Sequence, residues 1–287
     1  MINTDIEQMD GNDQRNISVA ILDLYEGVEN QGMRCIRNII KDWAADNGFN
    51  VATRVFNVRQ ENEVPDTLFD IYISTGGPGS PLDSVGSKWE EAYFSWLSQM
   101  EDWNNGQHNF PKKHVFFICH SFQLVCRHYN LGFVSPRAKK SFGVHPIHIM
   151  EGGENEPIFD DLKNPFYAVD SREFQVTKPN FERIREMGGQ ILALEKLRTH
   201  VLYERALMAI RINEYFVATQ FHPEADAEGM SMYLQREDKK QTVIENHGVE
   251  KWKSMIEHLK DPNKISYTYY RILPNFLNLA VSSLVEA

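Results

Sequence analysis

The first half of the chain contains apolar segments of strand length that do not alternate with polar residues. The clearest are residues 17–25 ("ISVAILDLY"), 68–75 ("LFDIYIST") and 113–119 ("KHVFFIC"). The stretches between them place apolar residues three and four positions apart, which is the spacing of one helix face. Strands without alternation are buried on both faces, and strands separated by helices form parallel sheets. The sequence therefore predicts an α/β fold with an open, mostly parallel sheet flanked by helices.

The second half of the chain has a different pattern. From about Phe142 the apolar segments are short and few helical patterns separate them, which indicates a small antiparallel section of the sheet. Helical periodicity returns near the C-terminal end. We therefore expect a flexible lead-in over residues 1–16, one α/β domain over residues 17–230 and a helical C-terminal extension over residues 231–287. The extension is either a cover for the domain or an oligomer contact.

The composition argues against several classes of partner. The formal net charge is −10 and no Lys/Arg-rich stripe stands out, which argues against nucleic acid and anionic membranes. No apolar run approaches the length of a membrane span, and the N-terminal segment lacks the pattern of a signal peptide. Three cysteines without a CxxC pair indicate a reducing cytoplasm, no disulfide framework and no zinc site. We expect a cytoplasmic protein that acts on a small molecule without a metal or cofactor.

One predicted strand runs directly into polar residues. In "VFFICHSFQLV" (residues 115–125) Cys119 ends the apolar run, and His120, Ser121 and Gln123 follow. If the cysteine lies between a strand and a helix, the helix N-terminus favours its thiolate, and the His120 N–H faces an oxyanion on the substrate. The alternative is a buried cysteine at the end of a core strand, followed by an ordinary helix.

Two further segments follow predicted strands in the same way. The loop "STGGPGSP" (residues 74–81) presents backbone N–H groups, and Gly77 is a candidate for the second oxyanion donor. The alternative is an ordinary tight turn. In "QFHPEAD", His222 and Glu224 lie two residues apart on extended backbone, so both side chains face the same way. A carboxylate beside an imidazole prepares a general base for a thiol, and a surface turn with a chance pair is the alternative.

Together, the ordered motifs "GGPGSP", "ICHSFQ" and "QFHPE" resemble the class I (triad-type) glutamine amidotransferases, a family that includes the amidotransferase module of GMP synthase. The resemblance extends from about Ile17 to Asp226. It implies Cys119 as nucleophile, His222 as base, Glu224 as orienting acid, Gly77 and His120 as oxyanion donors, and Gly79, Gln123 and Ser171 as substrate contacts. The implied reaction is thiolate attack on the side-chain amide of glutamine, release of ammonia and hydrolysis of the thioester.

The sequence departs from the family pattern at two places. The family usually has Gly-x-Cys-x-Gly followed by His, and this chain has Phe117, Ser121 and Phe122 at those positions. Because glycines let strand and helix approach closely, the replacements predict a looser or shifted turn at the cysteine. In "DSREFQV", Arg172 stands where many members have His, in a segment that contacts the amino-acid end of glutamine. This departure leaves a different γ-glutamyl or amide substrate as an alternative.

Three functions therefore stay open. The first is a glutaminase-type amidotransferase, and the second is a hydrolase of γ-glutamyl amines or peptides from the same superfamily. The third is a binding or regulatory module that keeps the fold with little catalysis. The amidotransferase-like part and the extension account for the 287 residues, so we expect any ammonia acceptor site on a separate synthetase subunit. The C-terminal helices are a candidate surface for that subunit or for a homo-oligomer.

Overall fold

The structure is a computed structural model that describes residues 15–28, 30–198, 204–261 and 264–285. The predicted lead-in over residues 1–16 lies almost wholly outside this part of the chain. The strands are β1 (Asn16–Asp23), β2 (Asn50–Asn57), β3 (Ile71–Ser74), β4 (His114–Ile118), β5 (Phe133–Ile149), β6 (Phe166–Thr177), β7 (Gln190–Glu195), β8 (Leu207–Arg211) and β9 (Phe216–Thr219). Within the described residues these nine strands form one sheet in the order β2-β1-β3-β4-β9-β8-β7-β5-β6.

Five neighbouring strands of this sheet are parallel: β2, β1, β3, β4 and β9. In the register, Phe117 of β4 lies between Ser74 of β3 and Ala218 of β9. Every residue of β3, β4 and β9 is buried. Burial on both faces explains why these strands lack alternation in the sequence. The predicted mostly parallel sheet is confirmed.

The rest of the sheet is antiparallel, from β9 through β8, β7 and β5 to β6. Strands β5 and β6 pair over most of their length, with Phe142 opposite Ser171 and Gly143 opposite Asp170. The predicted antiparallel section is therefore confirmed. It brings the middle of β6 towards the carboxyl end of β4, because the backbone N–H of His222, which follows β9, donates to the Val169 carbonyl at 2.8 Å.

Helices cover both faces of the parallel strands. The helices are α1 (Gly32–Asn47), α2 (Val58–Glu61), α3 (Lys88–Asn105), α4 (His120–His128), α5 (Phe181–Glu186), α6 (Ala227–Gln235), α7 (Glu237–His247), α8 (Val249–His258), α9 (Ile265–Tyr269) and α10 (Ile272–Val285). The apolar side of α1 packs on one face of the sheet, and α3 and α4 pack on the other. No helix in the described ranges combines the length and the apolar character that crossing a membrane requires.

The last helix belongs to the hydrophobic core. In α10, Phe276 packs its ring 5.1 Å from the ring of Phe116 in β4. The Trp43 indole of α1 donates to Asn278 Oδ1 of α10 at 2.7 Å. The C-terminal helices were expected either to cover the domain or to form an oligomer contact. The packing of α10 supports the first of these interpretations. Helices α6 and α8 form a smaller apolar cluster with Val169 of β6, and a domain boundary at residue 230 stays a prediction.

Candidate active site

Cys119 lies in a sharp turn between β4, which ends at Ile118, and α4, which begins at His120. Its backbone has φ 50° and ψ −94°, a region that residues other than glycine rarely adopt. The Cys119 N–H donates to the Thr219 carbonyl at 2.7 Å, and its carbonyl accepts from the Gln123 N–H at 3.1 Å. The sheet and the helix thus hold the cysteine in a strained turn at the carboxyl end of a parallel strand.

The turn at Cys119 is not the looser or shifted turn that the sequence predicts. Ser121 Oγ accepts from the Ile118 N–H at 2.8 Å and lies 2.9 Å from the Ser74 carbonyl, to which it donates. The Phe117 side chain is fully buried against Phe216, with ring centroids 5.9 Å apart. At the second glycine of the family pattern, the Ser121 hydroxyl therefore links β3, β4 and the turn. At the first glycine, the Phe117 ring packs into the core.

His222 and Glu224 form the predicted pair. Their side chains meet through His222 Nδ1 and Glu224 Oε1, which are 2.8 Å apart. The Glu224 side chain is 1% exposed, and its Oε2 has no hydrogen-bond partner among the described residues. A buried carboxylate of this kind depends on its one cationic partner, since an isolated buried charge is strongly unfavourable. The pair is therefore built to hold a positive imidazole.

His222 also lies close to Cys119, because a Cβ atom added to Gly76 would be 3.0 Å from His222 Cε1 and 3.6 Å from Cys119 Cβ. Burial by itself lowers the pKa of His222. A negative charge at Cys119 and that of Glu224, with the Glu224 hydrogen bond, outweigh burial and raise the pKa of His222 well above its usual value. The imidazole is thus held in its positive form close to the cysteine side chain.

Two further groups surround the Cys119 sulfur. Gln220 Nε2 donates to Sγ at 3.7 Å, and Sγ lies 3.7 Å from the Ser171 carbonyl, which accepts from the thiol. The sulfur therefore contacts β6 on one side and the segment after β9 on the other.

The glycine loop after β3 approaches the site with its backbone. A Cβ atom added to Gly76 would lie 3.0 Å from His222 Cε1 and 3.6 Å from Cys119 Cβ. A Cβ atom added to Gly77 would lie 2.4 Å from the Leu24 carbonyl oxygen, so only glycine fits there. On the other side, the His120 N–H belongs to the first turn of α4, where N–H groups have no partner within the helix. His120 thus follows the cysteine directly and Gly77 lines the same cavity, and the role of their N–H groups as oxyanion donors stays a prediction.

The imidazole of His120 has no part in the site. It is 1% exposed. Burial, followed by the charges of Arg59 and Arg127, lowers the pKa of His120 to about 3. Its side chain is therefore neutral at neutral pH, and what this residue offers to a substrate is its backbone N–H.

An open cavity of about 550 Å³ lies beside Cys119. Its inner end is lined by Cys119, His222, Gly77, Ser171 and Tyr25, and its outer part by residues of the β1–α1 loop and α6. Cys119 is only 6% exposed. The exposed edge of the sulfur thus opens into a space large enough for a small-molecule substrate.

The sequence of this chain matches a known family over most of its length. The description of that family is "Glutamine amidotransferase class-I", and the match covers residues 35–240. This protein belongs to the class I glutamine amidotransferase family. A search of curated proteins finds no match.

Solved structures of amidotransferases are similar to this one. A glutamine amidotransferase from Thermotoga maritima has a TM-score of 0.64 at 11% identity, covering 92% of this chain and 98% of that chain. The glutaminase domain of Trypanosoma brucei CTPS, with bound acivicin, has a TM-score of 0.57 at 12% identity, covering 93% and 94%. A glutamine amidotransferase from Methylobacillus flagellatus has a TM-score of 0.53 at 11% identity, covering 95% of each. These likenesses establish the amidotransferase fold.

The three predicted substrate contacts of this amidotransferase lie in different places. Ser171 lines the cavity, and its contact with a substrate stays a prediction. Gln123 is buried, and its amide donates to Gln220 Oε1 at 3.0 Å and to the Phe174 carbonyl at 3.2 Å. Gly79 is exposed, with φ 84°. Neither Gln123 nor Gly79 belongs to the described cavity lining, so Gln123 reaches the cysteine only through Gln220.

Arg172 points away from the cavity, because neighbouring residues of a strand face opposite sides. Its side chain is 1% exposed, and Nε donates to both carboxylate oxygens of Asp170, at 2.9 and 3.1 Å. Burial raises the pKa of Asp170 and of Glu195, but the Arg172 charge, together with the Ser141 hydrogen bond at Asp170 and the Arg137 charge at Glu195, holds both pKa values below the usual range. Arg172 therefore has a structural partner, and the sequence argument for an altered substrate loses its direct basis.

Sequence reasoning missed two residues at the cysteine, Gln220 and Tyr25. Gln220 lies two residues before His222 and one residue after β9. The Tyr25 hydroxyl lies 3.4 Å from where a Cβ of Gly76 would be. Burial, then the charges of Glu224 and Cys119, raise the pKa of Tyr25, so the phenol stays protonated. Both residues follow the carboxyl ends of parallel strands, and that position could have marked them in the sequence as candidates for the site.

Proposed function

We propose that this protein is a cysteine-dependent hydrolase of the side-chain amide of glutamine or of a related γ-glutamyl amide. One observation carries the proposal: the buried Glu224 carboxylate, the His222 imidazole and the Cys119 sulfur follow one another at the edge of an open cavity. The pKa of His222 is raised by its two anionic neighbours, which favours a thiolate–imidazolium pair. Cys119 is the proposed nucleophile, His222 the base and acid, and Glu224 the residue that orients His222.

In the first step, the Cys119 thiolate attacks the γ-carbonyl carbon of the substrate and a C–S bond forms. The carbonyl oxygen becomes an oxyanion, and the backbone N–H groups of Gly77 and His120 are the proposed donors to it. The imidazolium of His222 gives its proton to the amide nitrogen. The C–N bond then breaks, ammonia or an amine leaves, and a γ-glutamyl thioester remains on Cys119.

In the second step, His222 is neutral and takes a proton from water. The hydroxide attacks the thioester carbonyl, and the same oxyanion donors act again. The C–S bond breaks, glutamate leaves, and the thiolate–imidazolium pair is restored. No metal or cofactor takes part in this scheme. The buried carboxylate of Glu224 stabilises the positive imidazole in both halves of the cycle.

The test is ammonia release from L-glutamine by the wild type and two cysteine variants. We expect Cys119→Ala to abolish release, because the nucleophile is lost. Cys126→Ala is the matched control: Cys126 is fully buried in α4, and it does not line the described cavity. Release that continues at the wild-type rate in Cys119→Ala would rule out the mechanism. Loss of release in both variants, with neither of them folded, would point to a general loss of stability.

We also propose a cytoplasmic location, supported by three cysteines that are all free. If the released ammonia is used in synthesis, the acceptor site belongs to a separate synthetase subunit. Glutamine hydrolysis by the protein alone, measured with and without a cell extract depleted of small molecules, tests this. A rate that the extract does not raise favours a stand-alone hydrolase.

A further inference from the structure

The cavity beside Cys119 continues well beyond the residues that the proposed chemistry needs. Besides His222, its lining includes residues of the β1–α1 loop and of α6. Its volume is about 550 Å³, whereas ammonia, the leaving group of glutamine, has one heavy atom. Because His222 protonates the leaving nitrogen, the part of the cavity beyond His222 receives whatever that nitrogen carries.

The wall of this outer part is mostly apolar. Val28 of the β1–α1 loop and Met232 of α6 both line the cavity, and each is 53% exposed. Phe142 and Tyr233, with ring centroids 5.2 Å apart, and Met230 also belong to the lining. Apolar side chains left exposed around a concave space mark a ligand site, since burying them on binding is favourable.

The charged side chains of the described lining are already paired. Asp226 binds Arg34 at 2.8 Å and caps the first turn of α6 through the Gly229 N–H at 2.6 Å. Glu224 binds His222, and Arg236 binds Asp238 at 3.2 Å. This arrangement offers no strong partner for a charged substituent on the leaving nitrogen.

From this wall we infer that the preferred substrates are γ-glutamyl amides whose nitrogen carries an apolar alkyl or aromatic group. The inference rests on the proposed function and adds the leaving group to it. The γ-glutamyl part lies at Cys119 and Ser171, and the apolar group lies along α6. The thiolate forms the C–S bond, the C–N bond breaks, and the amine leaves with the His222 proton. Water then releases glutamate and restores the thiol.

The experiment measures kcat/KM for γ-glutamyl ethylamide, propylamide, butylamide and hexylamide. The basicity of the leaving amine is nearly constant in this series, so differences report binding along the outer cavity. We expect each added methylene to raise kcat/KM roughly two- to fourfold, as for partial to full burial of a methylene. The 2-hydroxyethylamide, which matches the propylamide in size, should be hydrolysed more slowly than the propylamide.

A variant ties the trend to the proposed wall. Met232→Asp should flatten the rise from ethylamide to hexylamide, because it places a charge at the apolar rim. Leu68→Asp is the matched control: Leu68 is 78% exposed and lies outside the described lining, so the rise should persist.

The outcomes separate the inference from the function beneath it. Hydrolysis of glutamine that depends on Cys119, with a flat or falling alkylamide series, overturns the inference alone. A rising series that Met232→Asp leaves unchanged also overturns it, since the apolar group would then bind elsewhere. No hydrolysis of any of these amides by the wild type overturns the proposed function together with the inference.

Discussion

The two ends of the active-site cavity are built differently. At the inner end, polar groups are held by short hydrogen bonds within buried surroundings: His222 to Glu224 at 2.8 Å, and Ser121 to the Ile118 N–H at 2.8 Å. At the outer end, Val28 and Met232 are each half exposed, and the charges nearby are paired among themselves.

This contrast assigns the chemistry to the inner end of the cavity and substrate selectivity to the outer end. A thiolate, an imidazolium and two oxyanion donors need fixed positions, which a parallel sheet and a helix N-terminus provide. An apolar wall binds a substituent through its shape and its apolar area alone. Its residues can therefore be substituted without disturbing the reaction. Substitutions at the inner end should therefore reduce the rate for every substrate. Substitutions at the outer end should change which substrate is preferred.

Among variants that keep Cys119, the largest effect is expected for the base. His222→Gln should reduce kcat/KM for glutamine roughly 10²- to 10⁴-fold, because it removes the group that accepts and donates the proton. His148→Gln on β5 is the control, since His148 lies outside the described cavity lining. A His222→Gln enzyme within a few-fold of the wild type would place the base elsewhere and break the contrast between the two ends.

Glu224→Gln should have a smaller effect, a loss of roughly 10- to 100-fold. The sign of its pH effect follows from charge. Glu224 raises the pKa of His222, so its neutralisation lowers that pKa. The imidazolium is then lost at lower pH, and the alkaline limb of the pH profile of kcat/KM should move to lower pH. Glu228→Gln, on the exposed side of α6, should leave the limb where it is. An unmoved limb in Glu224→Gln would contradict the assigned role.

Ser121→Ala tests whether the turn at Cys119 is tight. The variant leaves the Ile118 N–H without the hydroxyl that accepts from it, so unfolding should become easier by about 1–2 kcal/mol. Urea denaturation measures this. Ser98→Ala is the control: the Ser98 hydroxyl bonds within an exposed part of α3, and its loss should stay within about 0.5 kcal/mol. If the Ser121→Ala protein were as stable as the wild type, the Ser121 hydroxyl would not tighten the turn, and the looser turn that the sequence predicts would be supported.

The smallest effect is expected at Arg59, which ties the glycine loop to the β1–α1 loop. Arg59 Nη1 donates to the Pro78 carbonyl at 2.7 Å, and the guanidinium binds Glu26 at 2.9 Å. Lysine keeps the charge but cannot hold both contacts with one group. Arg59→Lys should lower kcat/KM for glutamine roughly three- to tenfold through a displaced oxyanion donor. Arg54→Lys on exposed β2 is the control, and equal rates in both variants would exclude a positioning role.

Much of the fold could be predicted from local pattern. The non-alternating apolar runs are strands in which every residue is buried, as in β4. The change near Phe142 to short apolar segments with few helical patterns between them marks the antiparallel section. The family was indicated by the resemblance of the three ordered motifs to it, and each motif lies at the carboxyl end of a strand in the parallel part of the sheet. The pairing of His222 with Glu224 could be predicted because it depends on a spacing of two residues.

The remainder of the site depends on contacts between distant parts of the chain. Ser121 bonds to Ser74, so its effect on the turn could not be predicted from the turn itself. Gln123 bonds to Gln220, which removes it from the cavity and puts Gln220 at the sulfur. The apolar outer wall forms only where the β1–α1 loop meets α6. The spacing of residues in the sequence carries no information about contacts between such distant segments.

The central claim is that Cys119 carries the acyl group during turnover. Rapid acid quench of the enzyme with excess L-glutamine, followed by mass analysis of its peptides, tests this directly. The account predicts a γ-glutamyl adduct on the peptide that contains Cys119, and none in Cys119→Ala. Glutamate that accumulates while Cys119 stays unmodified at every quench time, or an adduct on another residue, would contradict it.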